Sequence, residues 1–190
     1  MKAIMISIRP QWVEKILNGE KTIEIRKTIP KCDLPIEVYI YCTSHKNYTE
    51  SLYEIETYKK KRRFDVDVYR PSEPDFILNG KVVAKFTLNK VEYIRHLSYY
   101  PTDIDYDFET DNLSSTQLYE YSCVDKVDLL NYLLSSTGYA WHIDDLVIFD
   151  RPKELSSFYH YVNRRDTVKG WSCEYEELNN APQSWCFVEL

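Results

Sequence analysis

The stretch from Ser7-Ile8-Arg9-Pro10 to Gly19-Glu20-Lys21-Thr22-Ile23-Glu24-Ile25-Arg26-Lys27 constrains this chain more than any other. Pro10 opens a helix, because its missing N–H would find no intrahelical partner in a first turn. Trp12, Val13, Ile16 and Leu17 follow at helical spacing on one face. Gly19 suits the left-handed position that ends such a helix. From Thr22 the period changes to two, so Ile23 and Ile25 point one way and Thr22, Glu24 and Arg26 the other. A helix therefore hands Lys21 to the start of a strand whose polar face carries Glu24 and Arg26. Two readings of that face are open. It is either a solvated ion pair worth about 0–1 kcal/mol, or one wall of a polar pocket in which close charges shift each other's titration and hold an anionic or amide-rich ligand.

The rest of the chain reads as α+β with a mainly antiparallel, mixed sheet, because strands dominate without regular βα alternation. Residues 2–8, Ile36–Tyr41, Val82–Leu88 and Tyr139–Phe149 carry strand patterns, the last with a bend at Asp144-Asp145. Val124–Leu134 has a helical pattern, with Val127, Leu130, Tyr132 and Leu134 among its apolar positions and Gly138 as its stop. Asp150-Arg151-Pro152-Lys153-Glu154 has the form of a helix start, an Asp cap followed by Pro and Glu. Residues 156–180 show no clear period. At 190 residues, 44% of them hydrophobic, the chain fits one domain, 1–190, with sizeable insertions.

Charge narrows the partners. Residues 1–63 hold 13 Lys/Arg against 8 Asp/Glu, while 64–130 hold 6 against 13 and 131–190 hold 5 against 9. Proteins that coat a duplex need a broad basic face to neutralise phosphates, and this chain offers a local basic segment only. Its densest part, Lys59-Lys60-Lys61-Arg62-Arg63, reads as a solvated loop or as a phosphate-contacting arm. No apolar run reaches the 18 or more residues of a membrane span, and the opening residues lack a signal-peptide pattern. Five cysteines without a CxxC pair point to reduced thiols in a cytoplasm. Cys32, Cys42 and His45 lack the paired spacing of a zinc site. Asp103, Asp105, Asp107, Glu109 and Asp111 alternate like a calcium loop but lack its turn glycine, so a solvated acidic loop is expected. No metal and no cofactor is expected.

The run Gly19-x-Lys21-x-x-Glu24-x-Arg26, after an Ile-Ser-Ile-Arg-Pro strand and a short helix, resembles the signature of ASCH domains, a branch of the PUA-like superfamily. Val38–Thr43, Gly80–Ala84, Tyr139–Ile143, Arg151-Pro152 and Ala181–Cys186 resemble further blocks of the same family, in family order. Residues 44–78 and 98–136 fall between the blocks as insertions. The resemblance implies a PUA-like β-barrel with helices packed at its openings. It also implies a ligand cleft beside the motif strand, where Lys21 and Arg26 meet phosphate or a base carbonyl and Glu24 accepts from an exocyclic amine. Tyr41 or Trp12 is the expected stacking residue, and His142 the neighbouring polar group, with a structural histidine as its other reading. The implied partner is RNA or a small nucleotide or nucleoside. The alternative that the resemblance offers is a hydrolase, either a ribonuclease or an amidohydrolase of N4-acylated cytidines, using Lys21 and Glu24. In that pattern a reactive threonine occupies the place of Glu24, and a carboxylate supplies a general base but no nucleophilic hydroxyl. A protein-binding role for the tyrosine-rich insertions is a further option.

Overall fold

The computed structural model describes residues 2–44, 50–55, 62–67, 77–97, 107–133, 137–166 and 170–190. They form two compact units, one of residues 1–18, 36–86 and 146–190, the other of residues 19–35 and 87–145.

The first unit is built on a five-stranded mixed sheet. Its strands are β1 (Ala3–Ile8), β3 (Ile36–Cys42), β6 (Val82–Leu88), β10 (Asp144–Lys153) and β13 (Trp185–Val188), in the order β10-β6-β3-β1-β13. β1 runs parallel to β3 and antiparallel to β13. Every residue of β1 is buried, which is what a central strand covered on both faces requires. Ala3 and Met5 join Tyr39, Tyr41, Val82, Phe158, Leu178 and Val188 in one core cluster. Helix α1 (Pro10–Leu17) starts at its proline as expected and buries Val13, Ile16 and Leu17, while Trp12 is half-buried. The Asn18 side chain that follows α1 clamps the hairpin of β4 (Ser51–Ile55) and β5 (Arg63–Asp67). Its amide donates to the Phe64 carbonyl at 2.9 Å and accepts from the Phe64 N–H at 3.0 Å.

Two expectations change in this unit. Asp150-Arg151-Pro152 continues β10 instead of starting a helix, and only a single 3-10 turn, Leu155–Ser157, follows. β10 is the outermost strand of its sheet, the place where a proline's missing donor costs least. Residues 156–180 contain a long hairpin, β11 (Tyr159–Asp166) with β12 (Gly170–Glu177). Tyr159, Tyr161 and Tyr175 on it are exposed, so no inside–outside alternation marks it in the sequence.

The second unit is a four-stranded antiparallel sheet, with β2 (Ile23–Arg26), β9 (Gly138–His142), β7 (Val91–Leu97) and β8 (Asp107–Glu109) in the order β2-β9-β7-β8. Helices α2 (Ser115–Ser122) and α3 (Lys126–Leu133) close one face of it. Ile23, Ile25, Ile94, Phe108, Leu118, Leu129, Leu133 and Ala140 form the core between them. The expected helix over 124–134 is α3, but its buried positions are Leu129 and Leu133, whereas Val127 and Tyr132 are exposed. The bend expected at Asp144-Asp145 falls on the first two residues of β10 (Asp144–Lys153), where Asp145 has φ 48°. Gly19 has φ 78°, the left-handed value expected at the end of α1.

Candidate functional site

Lys21, Glu24 and Arg26 lie together in the second unit. β2 forms because Ile23 and Ile25 enter the core under α2 and α3, and the period of two turns Glu24 and Arg26 to the other face. There Glu24 stands opposite Trp141 of β9 and Arg26 opposite Tyr139. The Glu24 carboxylate is shared, one oxygen per cation. Its Oε1 lies 3.0 Å from Arg26 Nη2 and its Oε2 lies 3.3 Å from Lys21 Nζ. All three residues are buried, Lys21 to 2% exposure and the other two to 7%. That burial removes the solvated-pair reading of this strand face.

The Lys21 ammonium has a second partner. It donates to the Ser122 carbonyl at 2.6 Å, while the Thr22 N–H donates to the Tyr121 carbonyl at 2.9 Å. Both are terminal carbonyls of α2, which lack intrahelical partners, and a cation suits the negative end of the helix dipole. Burial pushes the Lys21 ammonium below the ordinary lysine range, against the opposing pull of Glu24. Tyr132 of α3 flanks the pair. Burial raises its hydroxyl, with a small lowering from Arg26 and a small raising from Glu24, and the Lys27 ammonium sits 5.1 Å over its ring.

His142 sits on the opposite side of the same sheet from Glu24, in register with Ile23. Its Nε2 is 2.7 Å from Oε1 of Glu92, a buried carboxylate on β7. Lys90 Nζ reaches the same oxygen at 2.7 Å, while Thr110 Oγ1 and Asn112 Nδ2 donate to Oε2 at 2.6 and 2.8 Å. Burial alone would raise the Glu92 pKa, but these donors outweigh it and hold the carboxyl at about 2. Glu92 was not singled out in the sequence. The available signal was its position two residues before Ile94, which places a carboxylate on the apolar face of a strand.

Tyr41 and Trp12 belong to the first unit. Tyr41 is 9% exposed and takes part in the core cluster of that unit, where burial raises its hydroxyl. The same unit contains a cavity of about 180 Å³ lined by Leu17, Phe64, Leu78, Val83, Phe149 and Arg62 among others. Arg62, from the basic cluster, pairs there with Glu54 at 2.9 Å and with Asp150 at 3.2 Å. Lys59, Lys60 and Lys61 lie outside the described residues, as do His45, Asp103 and Asp105. Of the alternating acids that are described, Asp107 accepts from the Tyr119 hydroxyl, and Glu109 and Asp111 pair with Arg95. Cys42 is a buried strand thiol pushed far above the ordinary range by desolvation.

No protein-family model matches the chain, and no curated protein matches its sequence. Solved structures do. The crystal structure of ASCH from Zymomonas mobilis superposes with a TM-score of 0.51 at 15% identity, covering 98% of this chain and 87% of that one. A single-substitution variant of the same protein gives 0.50 at 15% identity, covering 100% and 91%. The fold is an ASCH fold. At this identity the likeness concerns architecture. It agrees with the mainly antiparallel α+β arrangement expected from the sequence, with three α-helices among the described residues.

Proposed function

We propose that this chain is an ASCH/PUA-like module that binds RNA or a modified nucleotide or nucleoside, with Lys21, Glu24 and Arg26 as its polar recognition centre. The observation that carries the reading is the shared carboxylate, with each Glu24 oxygen held by a different cation. Such a group is fixed in place before any ligand arrives, so little ordering entropy is lost on binding. Arg26 carries its donors in a planar fork, the group type that suits a base carbonyl or a phosphate. Glu24 keeps lone pairs for an exocyclic amine, the complementary half of base recognition.

Titration of labelled single-stranded RNA tests the reading. Removing one partner of a buried ion pair costs about 3–5 kcal/mol of stability, so conservative variants are the informative ones. Arg26→Lys, which keeps the charge and loses the fork, and Glu24→Gln are expected to weaken binding at least about tenfold (~1.4 kcal/mol) while leaving the circular-dichroism spectrum unchanged. Unchanged affinity in both variants would sink the proposal.

A hydrolase reading has one observation in its favour, the lowered Lys21 pKa. A buried lysine beside a carboxylate can position water for proton transfer. Against it, Arg26 Nη2 already holds one Glu24 oxygen at 3.0 Å, and a carboxylate engaged by a fixed cation suits binding more than proton transfer. Little or no acetate release from N4-acetylcytidine is expected. Robust release, lost in both Lys21→Met and Glu24→Gln, would make the chain an enzyme.

A further inference from the structure

We infer that Tyr93 and Tyr139 form a base-stacking subsite continuous with Arg26, so that the ligand is held mainly by its aromatic ring and only secondarily by phosphate. The inference rests on the binding-module reading and deepens it. Across β2 and β9, Arg26 is paired with Tyr139; across β9 and β7, Tyr139 is paired with Tyr93. Residues directly opposite in antiparallel strands point to the same face with Cβ atoms about 4.5–5.5 Å apart. The three side chains therefore make one row across three strands, on the face opposite the core residues Ile23, Ile25 and Ala140. Exposure rises along that row, from 7% at Arg26 through a half-buried Tyr139 to 46% at Tyr93. The two rings meet edge to face, with centroids 5.8 Å apart and planes at 68°. That contact fixes both rings without stacking one on the other, and half-exposed Tyr93 offers a flat surface to a third ring.

Charge selects the mode of binding. Residues 19–35 and 87–145, the unit that carries the row, hold 7 Lys/Arg and 14 Asp/Glu. Arg95, two residues beyond Tyr93 on β7, is already held by Glu109 at 3.4 Å and Asp111 at 3.1 Å. A phosphate-tracking groove needs surplus cations, and the charge balance of this unit runs the other way. Stacking needs no net charge and tolerates any base, because every base has a π-face. The occupant that fits is an unpaired nucleobase lying on Tyr93, with its polar edge towards Arg26 and Glu24.

The test uses the full chain and fluorescently labelled single-stranded octanucleotides of adenylate and of uridylate. Tyr93→Ala is expected to weaken adenylate binding about tenfold, with Tyr93→Phe and Tyr93→Trp close to wild type. Adenylate is expected to bind more tightly than uridylate, since the larger ring system covers more of the tyrosine. Affinity is expected to fall by roughly seven- to fiftyfold between 50 and 200 mM salt, as about 2–4 phosphate contacts imply. Wild-type affinity in Tyr93→Ala, with binding lost in Arg26→Lys, overturns the subsite and leaves the module reading standing. A fall of about a thousandfold over that salt range points to phosphate contacts and also overturns the subsite. No binding of either oligonucleotide overturns both. Tyr93 is half-exposed, and equal melting temperatures for the variants establish that folding is not the cause.

Discussion

Two buried charges, Glu92 and Lys21, respond to pH in ways that follow from their surroundings. Glu92 is held at about 2, below its ordinary 4.5, by Lys90, Thr110, Asn112 and His142. Its contribution to stability is fully present above the unfolded value and is lost as pH falls through the folded one. Glu92→Gln is therefore expected to cost about 2–3 kcal/mol at pH 7, because it weakens several buried hydrogen bonds at once. The cost should shrink steadily between pH 4.5 and pH 2. Urea unfolding of both proteins across that range checks it, and a cost independent of pH would show that the carboxylate is ordinary. Lys21 behaves in the opposite sense to a surface lysine. Its pKa is lowered by burial, so the unfolded chain holds that proton more tightly than the folded one. Stability relative to Lys21→Met should then rise with pH between the folded value and 10.5. Unfolding measured at pH 7 and pH 10 gives the sign directly.

At the scale of elements, α2 and α3 are short, and their ends decide whether they form. Ser114 caps α2 in a reciprocal capping box. Its Oγ accepts from the Gln117 N–H at 3.4 Å, and the Gln117 side chain accepts from the Ser114 N–H at 3.1 Å. The far end of α2 is closed from outside the helix, by Lys21 and the Thr22 N–H. The motif lysine thus has a structural duty as well as its place in the candidate site. At the start of β9, Gly138 leaves no room for a side chain. An added Cβ would lie 2.7 Å from Leu133 Cδ1 and 2.9 Å from its Cδ2. Gly138→Ala is expected to destabilise the protein by about 1–3 kcal/mol through overpacking between α3 and the sheet. Thermal melts of that variant, alone and combined with Leu133→Ala, would show the clash as non-additivity. If Gly138→Ala melts like wild type, the packing argument is wrong.

For the molecule as a whole, the acidic balance of −6 limits any nucleic-acid footprint. With about 2–4 phosphate contacts the logarithmic salt slope of RNA binding should lie near −1.5 to −3, because single strands release about 0.7 counterion per contact. A slope beyond about −5 would contradict that expectation. Much of this was legible in the order of residues. Pro10, the Val13-Ile16-Leu17 spacing, left-handed Gly19 and the alternation of β2 determine a helix that ends into a strand, since each depends on neighbours within one or two turns. The α+β class follows from similar local periods. Other features depended on which strands pair. Burial of Glu24 and Arg26 could not be read from β2, because a strand's polar face looks the same whether it meets water or other residues. His142 was placed by its register with Ile23, which sends it to Glu92 and away from Glu24. The row Arg26–Tyr139–Tyr93 joins residues 26, 93 and 139 of the chain through two antiparallel pairings. Local sequence sets which face a side chain takes on its own strand. Only tertiary pairing sets its neighbours across the sheet, because hydrogen-bond register is a property of two strands together.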